Sequence, residues 1–65
     1  MRTYYRDING RFAVLHSGYN EMYRLSVHTS HGDDVVDRDY GTAKEAKIAL
    51  KNYGRSWKIV SYVYQ

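Results

Sequence analysis

Apolar and polar residues alternate along most of this chain, and where their period changes, so does the element they predict. From Tyr4 to Leu15 two strand-like runs flank Asn9-Gly10. That dipeptide supplies the positive φ a tight turn requires, so the segment predicts a β-hairpin. A two-residue turn would pair Ile8 with Arg11, whereas a three-residue turn with Gly10 in the left-handed conformation would pair Asp7 with Arg11. The second register separates apolar from polar better. It sets Tyr4, Arg6, Phe12 and Val14 on one face, the more apolar one, and Thr3, Tyr5, Asp7, Arg11 and Ala13 on the other.

Beyond a loop at Ser17-Gly18-Tyr19-Asn20-Glu21 the alternation is clean. Tyr23, Leu25 and Val27 face one way and Arg24, Ser26 and His28 the other, the pattern of a half-buried third strand. Ser30-His31-Gly32-Asp33-Asp34 is a second loop, and Val35 to Tyr40 reads as a short strand or an extended approach to a helix.

After Gly41 the period becomes helical. Thr42-Ala43-Lys44-Glu45 is a capping box, and Ala43, Ala46, Ala49, Leu50 and Tyr53 recur on one face of a helix running to about Tyr53. Gly54 suits the end of that helix, and three alanines on the apolar face allow close approach to a sheet. Trp57 to Tyr64 is a final strand, with Trp57, Ile59 and Val63 on one face and Val60, Tyr62 and Tyr64 on the other. The fold class is therefore α+β. A small antiparallel sheet of three to five strands carries one amphipathic helix on one face, in the order β-β-β-(β)-α-β, within one domain over residues 1–65. One helix covers one face of one sheet, so a last strand apolar on both sides needs another segment, a second copy of the chain or a partner.

Composition narrows the function more than the fold. The absence of cysteine removes disulfides and thiolate metal sites, and with them any sign of an oxidising compartment. Residues 1–6 lack the apolar run of a signal peptide and no stretch approaches ~18 apolar residues, which predicts a cytoplasmic protein with no membrane contact. Tyrosine is over-represented, at eight beside one Phe and one Trp, and tyrosine suits surfaces that are half wet. His28, His31 and Asp33 lack the third and fourth ligands of a fixed tetrahedral site, and the aspartates lack calcium-loop spacing. Neither a metal nor a cofactor is expected. His16, Ser17 and the carboxylates form no nucleophile-base signature, so the chain is not read as an enzyme.

Charge is unevenly spread. The acidic patch Asp33, Asp34, Asp37 and Asp39, with Arg38 inside it, carries −3, leaving a formal +6 on a chain whose net charge is +3. Lys44, Lys47 and Lys51 fall at i, i+3 and i+7 on the helix, with Ile48 beside that stripe. Two binding functions follow. The first is a small non-enzymatic protein acting by protein-protein contact, a regulator or inhibitor of a larger cytosolic machine such as phage or mobile-element proteins target, through Tyr62, Tyr64, Ile48 and the charged patches. The alternative is a nucleic-acid-binding module in which Tyr5, Tyr62 and Tyr64 stack on bases while Arg11, Arg24, Lys58 and the helix lysines meet phosphates of DNA or RNA. A homodimer through the second sheet face is the remaining partner considered. The stretch Tyr40-Gly41-Thr42-Ala43-Lys44-Glu45-Ala46 resembles the strand-to-helix junction of the three-stranded DNA-binding domains at the N-termini of some phage integrases. Those domains place the helix last, whereas here a strong strand follows from Trp57, so the chain is not assigned to that family.

Overall fold

The computed structural model describes residues 1–19 and 22–63. Five strands, β1 (Arg2–Arg6), β2 (Phe12–Tyr19), β3 (Met22–His28), β4 (Asp34–Tyr40) and β5 (Lys58–Val63), and one helix, α1 (Ala43–Lys51), follow in the order β-β-β-β-α-β. The sheet is antiparallel throughout, with strand order β4-β3-β2-β1-β5. Residues 35–40, left open between strand and approach, form a strand that already begins at Asp34, a residue expected in the loop; Asp34, Asp37 and Asp39 find cross-strand partners in His28, Ser26 and Arg24. Among the described residues no helix is long and apolar enough to cross a membrane.

The first hairpin takes the three-residue turn. Gly10 sits at φ 84°, its amide donates to the Asp7 carbonyl at 3.2 Å, and the Asp7 amide donates to the Arg11 carbonyl at 2.9 Å. The β3–β4 loop repeats this construction. Gly32 has φ 90°, its amide donates to the Thr29 carbonyl at 2.9 Å, and the Thr29 amide donates to the Asp33 carbonyl at 2.8 Å. Asp7 Oδ1 accepts from the amides of Asn9 and Arg11, and Thr29 Oγ1 accepts from those of His31 and Asp33. Both loops thus start with a short oxygen-bearing side chain three residues before glycine. That spacing satisfies the turn amides locally.

The helix covers the face opposite to the one the hairpin pattern favours. Thr3, Tyr5, Asp7, Ala13 and Leu15 are buried, while Tyr4, Phe12 and Val14 are half-buried on the open side. The neighbouring strand decides this. Ala13 pairs with Val27 and Leu15 with Leu25, and directly paired residues share a face, so the clean alternation of β3 overrides the weaker one of β1 and β2. Ala13 and Ala46, both fully buried, let the helix approach closely enough for Leu50 to reach the core formed by Tyr5, Leu15, Leu25 and Val27.

The helix begins where the capping box places it. Thr42 has extended dihedrals and its hydroxyl accepts from the Glu45 amide at 3.1 Å. Thr42→Ala is expected to cost about 1 kcal/mol, checked by urea unfolding at unchanged m-value. The end of the helix differs from expectation. Regular helix stops at Lys51 with Asn52 as C-cap, and Gly54 lacks a positive φ; Ser56, at φ 54°, takes the left-handed position in this turn. Gly54 is there for space. A Cβ on it would lie 2.4 Å from the Trp57 ring and 2.6 Å from Asp7 Oδ2.

Candidate interaction surfaces

A helix is about 10–12 Å across with its side chains, whereas five strands at ~4.8 Å spacing span about 19 Å. One helix leaves part of even its own face bare. Here α1 packs over β2, β3 and β4, and the β5 side of that face stays open: Thr3 and Tyr5 on β1 are buried, whereas Ile59 and Tyr62 on β5 are exposed.

The 54–57 turn delivers β5 to this open side. The Arg55 amide donates to Asp7 Oδ2 at 3.1 Å, the Ile8 amide donates to the Arg55 carbonyl at 3.0 Å, and Trp57 Nε1 donates to the Leu50 carbonyl at 2.9 Å. Asp7 therefore ties the first hairpin to the turn before β5. Its side chain is wholly buried. Burial alone would raise its carboxyl, but the amides of Arg55, Arg11 and Asn9 and the Arg11 guanidinium, 3.7 Å away, together hold it below the usual carboxylate value.

β5 then pairs with β1 through a bulge. Lys58 lies opposite Arg6 and Ile59 opposite Tyr5, but beyond the irregularity Ser61 faces Tyr4, Tyr62 faces Thr3 and Val63 faces Arg2, leaving Val60 as the extra residue. The strict alternation expected of this strand is overturned. Ile59 and Tyr62 share the helix side, where they line a shallow groove with Thr3, Tyr5, Ala43 and Lys47, and Val63 moves to the open side with Lys58 and Ser61. All six residues of β5 are exposed, Ile59 at 49%, Val60 at 57% and Tyr62 at 52%. The two edges of the sheet differ sharply. On β4, Asp34, Asp37, Arg38 and Asp39 make four of seven residues charged; on β5 only Lys58 is.

The residues singled out from sequence divide among several surfaces. Tyr5 is buried at 8% exposure, and burial first, then the nearby Tyr62, raises its phenol above the ordinary value, so its ring belongs to the core and offers no stacking face. Arg24 is held by Asp39 through two hydrogen bonds, Nε to Oδ1 at 2.9 Å and Nη2 to Oδ2 at 3.1 Å, which hold the Asp39 carboxyl below its usual range and commit the guanidinium. Arg11 lies at the hairpin end against Asp7, while Lys44, Lys47, Ile48 and Lys51 are exposed on α1. Lys58 lies on the opposite side of the sheet from Tyr62. Tyr64 falls outside the described residues. Of the acidic patch, Asp34 is bonded to His28 Nδ1 at 2.9 Å and Asp37 to Ser26 at 3.1 Å, whereas Asp33 sits in the β3–β4 loop. Among the described residues no group of three or more His, Cys, Asp or Glu is placed to hold a metal ion.

The open face carries residues that the sequence reading passed over. The strand registers align them in three rows from β5 to β4: Val63-Arg2-His16-Arg24-Asp39, Ser61-Tyr4-Val14-Ser26-Asp37 and Lys58-Arg6-Phe12-His28-Asp34. Each row ends on a carboxylate bonded to its β3 neighbour. Cations gather at the other side. Phe12 and His28 are in contact, their ring centroids 5.3 Å apart. The signal for Arg2, Tyr4 and Arg6 was their i, i+2, i+4 spacing on one strand, obscured because that face looked like the core.

Comparison with known proteins finds no matching family model, no matching curated protein and no matching solved structure.

Proposed function

We propose that this is a small non-enzymatic binding protein that acts by protein-protein contact, regulating or inhibiting a larger partner, with β5 as its contact element. The observation that carries this reading is the contrast between the two sheet edges. An edge strand presents a row of backbone donors and acceptors, and folded proteins guard such rows with charges, as β4 does. β5 is exposed along its length, apolar and nearly uncharged, with a groove beside it lined by Ile59 and Tyr62. The occupant that suits it is an extended apolar segment of a larger protein, added as a sixth strand. Main-chain hydrogen bonds would supply affinity and alternate side chains entering the groove would supply specificity.

The test is affinity capture from the source cell with nuclease-treated extract, comparing the natural chain with an Ile59→Lys/Tyr62→Lys variant. Both positions are exposed, so the variant is expected to keep its circular dichroism spectrum and lose the captured protein. A Lys44→Gln variant, altered at an exposed helix residue that does not line the groove, is expected to retain it. Capture unaffected by the β5 variant would remove β5 from the interface. Sizing by light scattering separates the second-copy alternative, in which the free chain would already run at twice its 7.7 kDa mass.

A further inference from the structure

The open face of the sheet offers a second site that does not depend on β5 capturing a protein. We propose that its β1–β5 half binds single-stranded nucleic acid, with Arg2, Arg6 and Lys58 meeting phosphates and Tyr4 and Phe12 stacking against bases.

The three cations are available. Within the described residues Arg2, Arg6 and Lys58 make no ion pair, in contrast to Arg24, which is committed to Asp39. Their arrangement is ordered. Arg2 and Arg6 are four residues apart on one face of one strand, about 13 Å at 3.3 Å per residue, and Tyr4 lies midway between them on that face. Phe12 and Lys58 flank Arg6 on the adjoining strands. A chain laid along β1 would meet positive charge on either side of Tyr4, with the Phe12 ring beside the second cation, the combination of backbone tracking and sequence-tolerant stacking that single strands require.

The carboxylates on this face do not oppose such a ligand. Asp34, Asp37 and Asp39 lie on β4, three strands from β1 and so about 14 Å away, beyond a Debye length of ~10 Å at 0.1 M salt. Each is also bonded to a β3 side chain. An acidic peptide would use the cations but gain little from the rings. A duplex keeps its base faces stacked on one another and cannot present them to Tyr4 and Phe12.

The experiment is fluorescence anisotropy of labelled oligo-dT and oligo-U, about twelve nucleotides long, titrated with the full chain. Three phosphate contacts predict a salt slope near −2, a weakening of roughly 20-fold between about 50 and 200 mM salt. An Arg6→Gln/Lys58→Gln variant is expected to reduce the slope to about −0.7. Tyr4→Ala should weaken binding about tenfold with the slope unchanged, and Tyr4→Phe should restore it, the loss being that of one stacked base. Circular dichroism confirms that each variant is folded. Equal affinity for a duplex of the same sequence, or equal retention of polyglutamate, would reduce the site to a nonspecific positive patch and overturn the inference. No binding in low salt overturns it too. So does binding that survives Arg6→Gln/Lys58→Gln and vanishes in Lys44→Gln/Lys47→Gln/Lys51→Gln, which would place it on the helix.

Discussion

Gly54→Ala is expected to lower the thermal unfolding midpoint by about 12–24 °C, the effect of ~3 kcal/mol on a domain of this size. Alanine is compatible with the backbone, since Gly54 is not among the positive-φ residues, so the cost is steric. The new methyl would meet the Trp57 ring at 2.4 and 2.7 Å and Asp7 Oδ2 at 2.6 Å. None of these can yield cheaply. Trp57 is anchored by its bond to the Leu50 carbonyl, and Asp7 is held by three amides. Gly32→Ala makes the useful contrast, because a Cβ there meets nothing within 4 Å and only the positive φ opposes it, at about 1–2 kcal/mol. Trp57→Phe removes the ring atoms that the methyl strikes, so in its presence Gly54→Ala should cost measurably less. An undiminished cost in that background would show that the ring is not the obstacle.

The second large effect belongs to Asp7. Asp7→Asn preserves an acceptor for Asn9 and Arg11 but turns a donor toward the Arg55 amide, leaving a buried amide unpaired, and it removes the charge paired with Arg11. The expected loss is about 2–3 kcal/mol at pH 7. pH dependence identifies the cause. Because the folded carboxyl is held below its usual value, its contribution is complete above the unfolded value of ~3.9 and disappears as pH falls through the lower folded one. The natural chain should therefore lose stability steeply below about pH 4. Asp7→Asn should start lower and change less over that range, leaving Asp39, shifted in the same direction but solvent-exposed, as a smaller source of acid sensitivity. Parallel stability-pH curves for the two proteins would show that Asp7 is not the titrating group. The same variant should also loosen β5, since Asp7 bonds the turn that delivers it.

What could be read in advance was short in range. Asn9-Gly10 specified a hairpin, because a positive φ involves only neighbouring residues, and the apolar-polar separation chose the Asp7–Arg11 register over the Ile8–Arg11 one. The cap at Thr42 and the buried stripe of Ala46 and Leu50 were legible for the same reason: helical spacing is local. β3 announced its inward face because Leu25 and Val27 alternate with polar residues without exception. Tyr5 misled, because tyrosine is equally at home in a core and on a stacking surface and only burial distinguishes the two. Arg24 misled too, since its partner Asp39 lies fifteen residues away, on a strand whose existence was open.

The sequence by itself determined every element but β4, their order, the hairpin turn and the helix start, all consequences of dihedral preference and side-chain period over a few residues. The tertiary structure decided which side of β1 and β2 the helix would cover, where β5 would bulge, and hence which surfaces remain open. Those outcomes rest on pairings between distant segments, Ala13 with Val27, Tyr5 with Ile59, and Asp7 with Arg55 across 48 residues. An antiparallel pair transmits the facing of one strand to the next, so a single bulge reassigns every side chain beyond it. That is how Ile59 and Tyr62 came to share the groove, and Arg2, Tyr4 and Arg6 came to lie on the open face.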